Sequence, residues 1–350
     1  MAKRILVTGG AGFIGSNFLE LFVPQNPDSQ FLNLDALTYA AHPLNLTSLE
    51  KYSNYQFKQV QLSEYESVLG AIQEFDPEWV IHFAAETHVD RSIKDPRSFL
   101  NSNVVGTFNL LEACRQHWGE ANDRVFLSVS TDEVFGSLGD DGLFDESTAY
   151  DPSSPYSASK ASADHFVRAY SRTYGLPVKL TNCSNNFGPR QFPEKLIPLM
   201  ILNAMSGKRL PVYGEGKNVR DWLFVSDHCR ALWQVAEHGN VGETYCIGGG
   251  TAIPNIKVVE TICDLVAEHR SASPESLREL ITFVADRPGH DYRYEIDNTK
   301  ISSKLGWKPE TGFEEGLRQT IKWYADNTDW VSMAQSGEYL TWMKEHYDGA

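Results

Sequence analysis

Residues 4–22, RILVTGGAGFIGSNFLELF, decide the fold. RILVT (4–8) is a short apolar run of the strand type, and FIGSNFLELF carries a helical pattern. Between them Gly9, Gly12 and Gly15 recur at every third residue. That spacing lets the chain turn tightly, approach a pyrophosphate closely and pack helix on strand. The helix N-terminus then offers free N–H groups to phosphates. A glycine cluster by itself also occurs in unrelated loops. Here a second apolar run, FLNL, follows and ends at Asp35, 20 residues beyond Gly15. An acid at that place accepts ribose hydroxyls and repels a 2′-phosphate, which favours NAD over NADP as the cofactor.

Further strand-like runs follow at 57–62 (FKQVQL), 79–85 (WVIHFAA) and 125–130 (VFLSVS), separated by helical patterns near 64–75 and 98–117. Strands alternating with helices predict an α/β fold with a doubly wound parallel Rossmann sheet. From about residue 185 the pattern becomes mixed, broken by Pro189, Pro193, Pro198, Pro211 and several glycines. We therefore expect a dinucleotide-binding domain over 1–184 and a smaller mixed α/β substrate lobe over 185–350, with the chain free to cross between them. The tail segments GFEEGLRQTIKWYADN and GEYLTWMKEHY read as amphipathic closing helices.

The chemistry is concentrated in 125–160, VFLSVSTDEVFGSLGDDGLFDESTAYDPSSPYSASK. The apolar run stops at Ser130, Thr131, Asp132 and Glu133, which places them at the C-terminal end of a strand, where open α/β sheets hold their ligands. Downstream, Pro152 and Pro155 flank serines and open a helix in which Tyr156 and Lys160 are spaced i, i+4 on one face. A Tyr works as a base near neutrality only if its pKa falls by about three units from ~10. One positive charge at about 4 Å supplies close to that at an effective dielectric of ~20, so Lys160 is the residue to activate Tyr156. A Tyr-x-x-x-Lys pair also arises by chance on amphipathic helices, and Asp-Glu pairs usually cap turns. Their shared place at one strand end favours a site.

Composition bounds the alternatives. With 41% hydrophobic and 22% charged residues, the 350-residue chain reads as an ordinary globular protein. No apolar run approaches the ~18 residues that span a bilayer, and glycines interrupt the N-terminal segment before any signal-peptide core; a cytoplasmic protein is expected. Cys114, Cys183, Cys229, Cys246 and Cys263 are scattered and odd in number, which argues against a disulfide framework and a zinc site. No metal-ligand cluster stands out. A net charge of −15 disfavours nucleic acid as a partner, so an anionic ligand must meet local cations.

On these residues the chain resembles the extended short-chain dehydrogenase/reductases, and within them the nucleoside-diphosphate-sugar 4,6-dehydratases. The resemblance is carried by VTGGAGFIGSN (7–17), HFAAETHVDRSI (82–93), STDEVFG (130–136), PYSASKASADH (155–165), TNCSNNFGPRQFPEKLIP (181–198), GKNVRDWLFVSDH (216–228) and DRPGHDYRY (286–294). Thr131-Asp132-Glu133 is the specific part, since related epimerases and decarboxylases generally carry small hydroxyl residues or Ala there. Removing a sugar C6 hydroxyl needs a base for the C5 proton and an acid for the departing oxygen, and adjacent carboxylates can divide those roles.

The resemblance implies dTDP-glucose as substrate and NAD regenerated within each turnover. Tyr156 takes the C4 hydroxyl proton, Lys160 lowers the Tyr pKa and holds the ribose, and Thr131 bonds the C4 oxygen. Glu133 takes the C5 proton and Asp132 protonates O6. For the cofactor it implies Gly9, Gly12, Phe13, Ile14 and Gly15, then Asp35, Leu37 and Thr38, then Gln61, Leu62, Ala84, Ala85, Thr87 and Ser102, with Asn186 alongside. For the substrate it implies Thr87, Asn185, Glu194, Lys195 and Asn255 at the sugar and diphosphate, and Leu196, Pro211 and Tyr213 at the base. Arg220, Arg287 and His290 are the cations suited to the diphosphate. Tyr213 suits stacking on a pyrimidine and equally suits core packing in a short strand.

The sequence departs from the family pattern at Gln61-Leu62, usually Asp-Ile, and at Ala41-His42, a common Gly-Asn pair; Thr87 replaces a frequent Ser and keeps the hydroxyl. A nucleotide-sugar 4-epimerase or decarboxylase, or a nonenzymatic NAD sensor, would share the fold. Neither class requires the Thr-Asp-Glu turn together with Tyr156 and Lys160. Apolar residues beyond one stripe at 98–117 and 156–174 lead us to expect a homodimer.

Overall fold

The computed structural model describes residues 2–121 and 123–336; the expected helix within 337–347 lies outside the described residues. Twelve strands form among them: β1 (Arg4–Thr8), β2 (Gln30–Asp35), β3 (Tyr55–Gln59), β4 (Trp79–His82), β5 (Val125–Thr131), β6 (Val178–Cys183), β7 (Asn185–Phe187), β8 (Leu210–Tyr213), β9 (Val219–Phe224), β10 (Thr244–Ile247), β11 (Ala252–Pro254) and β12 (Ile281–Val284).

Seven strands make one parallel sheet in the order β10-β6-β5-β4-β1-β2-β3. The order reverses between β1 and β4, and such switch points open a crevice at the carboxyl ends of the strands. One sheet face is closed by the helices Phe13–Gln25 and Val225–His238, which bring Phe18, Leu19, Leu232 and Val235 against Ile5, Val7 and Leu127. The other face meets Tyr65–Phe75, Gly106–Trp118 and Pro155–Tyr174 through Val68, Leu110 and Val167. The smaller lobe has its own core, in which Leu196–Met205, Asn255–Arg270 and Phe313–Asp326 bury Leu199, Ile262 and Leu317. Two short sheets belong to it, β11-β9-β7 and β12-β8. The segment from Val225 to Ile247 returns to the large sheet as a helix and β10.

Local chemistry explains the helix that carries Tyr156. Ser154 and Ser157 form a reciprocal capping box, Pro155 occupies the first turn, and Gly175 ends the helix at φ 69°. Three boundaries differ from the sequence pattern. The strand expected at 57–62 is displaced to Tyr55–Gln59, because this edge strand pairs with β2 alone and ends opposite Asp35. The run expected at 79–85 stops as a strand at His82, opposite the last residue of β1, and 83–85 turn out along the crevice. The helix expected at 98–117 begins at Pro96, widens to a π-helix over Leu100–Val105 and resumes at Gly106. Such π segments cluster at functional sites.

Candidate active site

Backbone geometry builds the first half of the crevice. Gly9 has φ +74°, and a Cβ there would sit 2.6 Å from the Ala84 nitrogen. A Cβ on Gly15 would sit 2.3 Å from the Gly9 carbonyl oxygen. Only glycine lets this turn feed directly into the Phe13–Gln25 helix. Gly12 is the N-cap and brings no side chain, so no side-chain cap takes the first-turn N–H groups of Phe13, Ile14 and Gly15, which line the crevice. At the end of β2, Asp35 accepts the N–H of Ala11 on Oδ2 and of Leu37 on Oδ1, each at 2.8 Å. Burial pushes its carboxyl up and these N–H groups oppose the rise. Leu37 takes φ 55° in making its bond.

A cavity of about 290 Å³ is lined by Gly9, Gly12, Phe13, Ile14, Gly15, Asp35 and Thr38, by Gln61 and Leu62, and by Ala84, Ala85, Thr87 and Ser102. Leu37 stands beside it, held to Asp35. A glycine cradle, uncapped N–H groups and an acid at the end of β2 fit a dinucleotide.

The same cavity continues past Thr131, Asp132, Glu133, Tyr156, Lys160, Asn185, Asn186, Glu194 and Lys195. Thr131 Oγ1 accepts the Glu133 N–H at 3.3 Å, donates to Asp132 Oδ1 at 3.2 Å and hydrogen-bonds the Tyr156 phenol. One hydroxyl thus fixes the turn and touches the Tyr. Asp132 is buried, and its Oδ2 has no partner among the described residues. Burial, then Glu133 and Asp221, raise its pKa well above the usual carboxylate range. Burial raises Glu133 too, but Arg287, Lys195 and Arg220 all pull it back. The two adjacent carboxyls are thus both raised by burial but differ in their neighbours: Arg220 alone among the cations opposes the rise at Asp132, and three cations oppose it at Glu133.

Tyr156 corrects one expectation. In the protein alone burial and Glu133 push the phenol up rather than down, and Lys160 Nζ donates to the Val129 carbonyl at 2.9 Å. Burial, not the ammonium, is the largest influence on the phenol. His290 corrects another. Burial and Arg287 push it down to about 4, so it is a neutral ring at physiological pH, with Nδ1 2.6 Å from Asp286 Oδ1.

The cations are mounted separately. Arg220 on β9 is buried, bonds the carbonyls of Val219, Asp291 and Tyr292, and lies 4.2 Å from the Tyr294 ring centroid. Arg287 meets Asp90 at 3.3 Å, and Lys195 Nζ donates to the Thr87 carbonyl at 2.7 Å. All three act on Glu133, and of the three Lys195 lines the cavity while Arg220 and Arg287 stand behind its wall. Tyr213 joins this group through its hydroxyl, 3.3 Å from Asp90 Oδ2, and its ring stands edge-on to His290. Pro211 is two residues away on the same strand, β8. Leu196 follows Lys195 and packs into the smaller core. Asn255 is held against Asn218 through its N–H, near the β9 strand that carries Arg220, and its Oδ1 is buried without a partner among the described residues.

Several site residues escaped sequence reasoning. Tyr39 donates to Glu194 Oε1 at 2.9 Å, and the Arg91 guanidinium stacks 3.7 Å from the Tyr39 ring centroid while Nε bonds Glu194 Oε2 at 2.9 Å. Asn103, in the π segment, bonds the Glu86 backbone twice and Ser159 once, fixing the 83–87 loop against the Tyr156 helix. The HVDRSI motif signalled Asp90 and Arg91. No sequence signal marked Tyr39 or Asn103.

A dinucleotide cradle that opens onto a buried Tyr, a Lys and two unlike carboxyls defines the class, an NAD-dependent enzyme on a Rossmann-type sheet. Residues 6–320 match the family model described as GDP-mannose 4,6 dehydratase, and the chain belongs to that family. It is 51% identical, over 99% of both chains, to a dTDP-glucose 4,6-dehydratase of Shigella flexneri. Among solved structures it is similar to the Bacillus anthracis dTDP-glucose 4,6-dehydratase in complex with NAD, at 44% identity and TM-score 0.86, covering 95% of this chain and 100% of that one. A double mutant of the Streptomyces venezuelae dTDP-glucose 4,6-dehydratase, also crystallised with NAD, gives 40% identity and TM-score 0.87 over 95% of this chain and 99% of that one.

Proposed function

We propose that this protein dehydrates dTDP-glucose to dTDP-4-keto-6-deoxyglucose, a step of deoxysugar nucleotide synthesis, as a hydro-lyase. The observation that carries the reading is the unlike pair Asp132 and Glu133 beside Tyr156. The glycine turn, Asp35 and the 83–87 loop would hold NAD, which when bound would supply the hydride acceptor for C4 and the hydride donor for C6. Tyr156 removes the C4 hydroxyl proton, and Thr131 holds the C4 oxygen. The 4-ketone acidifies C5–H, and Glu133, the carboxyl on which three cations act, takes that proton. Asp132, whose pKa burial raises, protonates O6 as water leaves. The proton on Glu133 returns to C5, so the sugar loses water with no net redox change. Arg220, Arg287 and Lys195 receive the diphosphate. Asn185 and Glu194 meet the sugar, Asn186 the cofactor, and Tyr213 the base.

The working unit is a homodimer in the cytoplasm. Supporting the dimer, Leu100, Phe108, Phe166 and Tyr174 are all exposed on the neighbouring Pro96–Trp118 and Pro155–Tyr174 segments, with the Phe108 and Phe166 rings 5.8 Å apart. Supporting the location, no helix among the described residues is long and apolar enough to cross a membrane.

Glu133→Gln tests the reading. It keeps size and hydrogen bonding but removes the C5 base, which typically costs about 10²–10⁴-fold. The variant is expected to oxidise C4, accumulate bound NADH absorbance on mixing with dTDP-glucose, and exchange little C5 hydrogen with deuterated solvent. Dehydration at the parental rate, with no NADH accumulation, would remove Glu133 from the mechanism.

A further inference from the structure

Asp164 has no solvent exposure and no part in the chemistry above. It lies one helical turn beyond Lys160 and two beyond Tyr156, so the three share one face of the Pro155–Tyr174 helix. Its Oδ2 accepts from Ser130 Oγ at 2.7 Å and from Tyr150 OH at 2.8 Å. Arg168, one turn further on, donates to Tyr150 OH at 2.9 Å with its guanidinium 4.8 Å from the ring centroid. Oδ1 has no partner among the described residues. Ser130 immediately precedes Thr131, and Lys160 is bonded to Val129, so helix and strand are tied at two successive residues.

We propose that Asp164 is a positioning residue for the reaction: one helical turn from Lys160 on the same buried helix face, it sets a negative counter-charge that acts on the Lys160 ammonium through space, with no direct ion pair between them. Its bonds to Ser130 and Tyr150 also hold the Tyr156–Lys160 face against the strand that ends in Thr131, Asp132 and Glu133. The inference rests on the roles given above to Tyr156 and Lys160.

A buried ammonium with a neutral carbonyl as acceptor is expensive to keep charged. Burial pushes Lys160 down, and Asp164 is the strongest influence holding it up, ahead of Cys183. Other groups add little. His82, from β4, is fully buried and pushed down to about 3, hence neutral. The Cys183 thiol, from β6, is pushed up by burial and by Asp132 and stays protonated. On the helix itself, burial pushes Tyr156 up, and Arg168 carries a positive charge that cannot hold an ammonium. Tyr150, on the preceding loop, is pushed up as well. Burial pushes the Asp164 carboxyl up, while Lys160, Ser130, Tyr150 and Arg168 all favour its anion. A neutral Lys160 would leave Tyr156 without the positive charge its role as base requires.

Asp164→Asn keeps the volume and removes the charge. Because Asp164 raises the Lys160 pKa, its loss lets the ammonium give up its proton at lower pH. The deficit must grow as pH rises. With dTDP-glucose, kcat is expected to fall at least about tenfold at pH 7, the equivalent of one pKa unit, and further toward pH 9, while KM and bound NAD stay near parental. A loss of equal size at every pH from 6 to 9, or no loss, overturns the proposal. A substrate-free arm uses melting temperatures. In a Lys160→Met background Asp164 keeps Ser130, Tyr150 and Arg168 but loses the ammonium, so adding Asp164→Asn lowers the melting temperature less than the same change does in the parental protein. An equal drop in both backgrounds, or a double variant that fails to fold where Lys160→Met folds, overturns the counter-charge and leaves the dehydratase reading standing. That reading fails separately, if the parental enzyme does not turn over dTDP-glucose.

Discussion

The two halves of the cavity are made of different material. The dinucleotide half is mostly backbone: a turn free of Cβ atoms, the N–H groups of one helix, and an acid whose oxygens are set by two main-chain donors within the same β1–β2 unit. The half proposed above for the sugar nucleotide is mostly side chains, and they come from far apart. Asp90, Lys195, Arg220 and Arg287 converge from the Val89–Lys94 helix, the 188–195 loop, β9 and the loop after β12. Backbone sites are specified locally and tolerate little change in shape. Side-chain sites are specified by tertiary structure and should lose function in graded steps.

The largest expected effect is therefore a single methyl group in the backbone half. Gly15→Ala puts a Cβ where the Gly9 carbonyl oxygen stands 2.3 Å away, and that atom belongs to the main chain and cannot rotate aside. Relieving the contact costs about 1–3 kcal/mol or more and moves the turn that meets the pyrophosphate. The purified variant is expected to carry no NAD, read from its absorbance after denaturation, and to show no turnover. Its affinity for dTDP, measured calorimetrically, should stay close to parental. Loss of dTDP binding together with NAD would show that the halves are one unit and break the comparison.

Arg220→Ala probes the other half and is expected to act in the opposite sense. Removing a buried, charge-bearing contact to the substrate diphosphate costs about 2–5 kcal/mol, so KM for dTDP-glucose should rise about 30-fold or more. Bound NAD should be unchanged. A smaller fall in kcat accompanies it, because Arg220 favours the Glu133 anion but acts on it less than Arg287 and Lys195 do. Equal weakening of NAD and substrate would place Arg220 in neither half.

The same division explains what the sequence disclosed. β1, the glycine turn, the following helix and Asp35 lie within 32 consecutive residues of local pattern, and the structure has them where the pattern put them. Tyr156 and Lys160 were legible for the same reason, since helix periodicity alone puts them on one face. The end of β4 was not, because it depends on where β1 turns away, a fact of pairing rather than of hydrophobicity. The charge state of His290 was equally hidden: its neutrality comes from burial and from Arg287, and sequence spacing reports neither. Tyr156 shows the limit most sharply. A Tyr four residues from a Lys reads as an activated phenol, yet burial and Glu133 push it the other way. The site's electrostatics are a property of the assembled cavity.

The smallest effect is expected at the seam between the halves, and it discriminates best. Tyr39 sits on the loop after β2, beside the dinucleotide end, and its hydroxyl donates to Glu194, which arrives on the 188–195 loop from the sugar end. Arg91 grips both, stacking on the Tyr39 ring and bonding Glu194. Tyr39→Phe removes one hydrogen bond to a carboxylate and keeps the ring and its cation contact. Hydrogen bonds to charged groups contribute about 1.5–3 kcal/mol, but Arg91 remains on Glu194, so a loss near about 1 kcal/mol is expected. Because the bond joins the two halves, the variant should release NAD a few-fold faster and raise KM for dTDP-glucose by a similar factor. Arg220→Ala moves only the second quantity, and Gly15→Ala abolishes NAD binding outright. Stopped-flow measurement of NAD release together with steady-state KM separates the cases. A Tyr39→Phe variant that changes one of the two and leaves the other at its parental value would mean that the loops belong to one half each, and that Arg91 alone joins them.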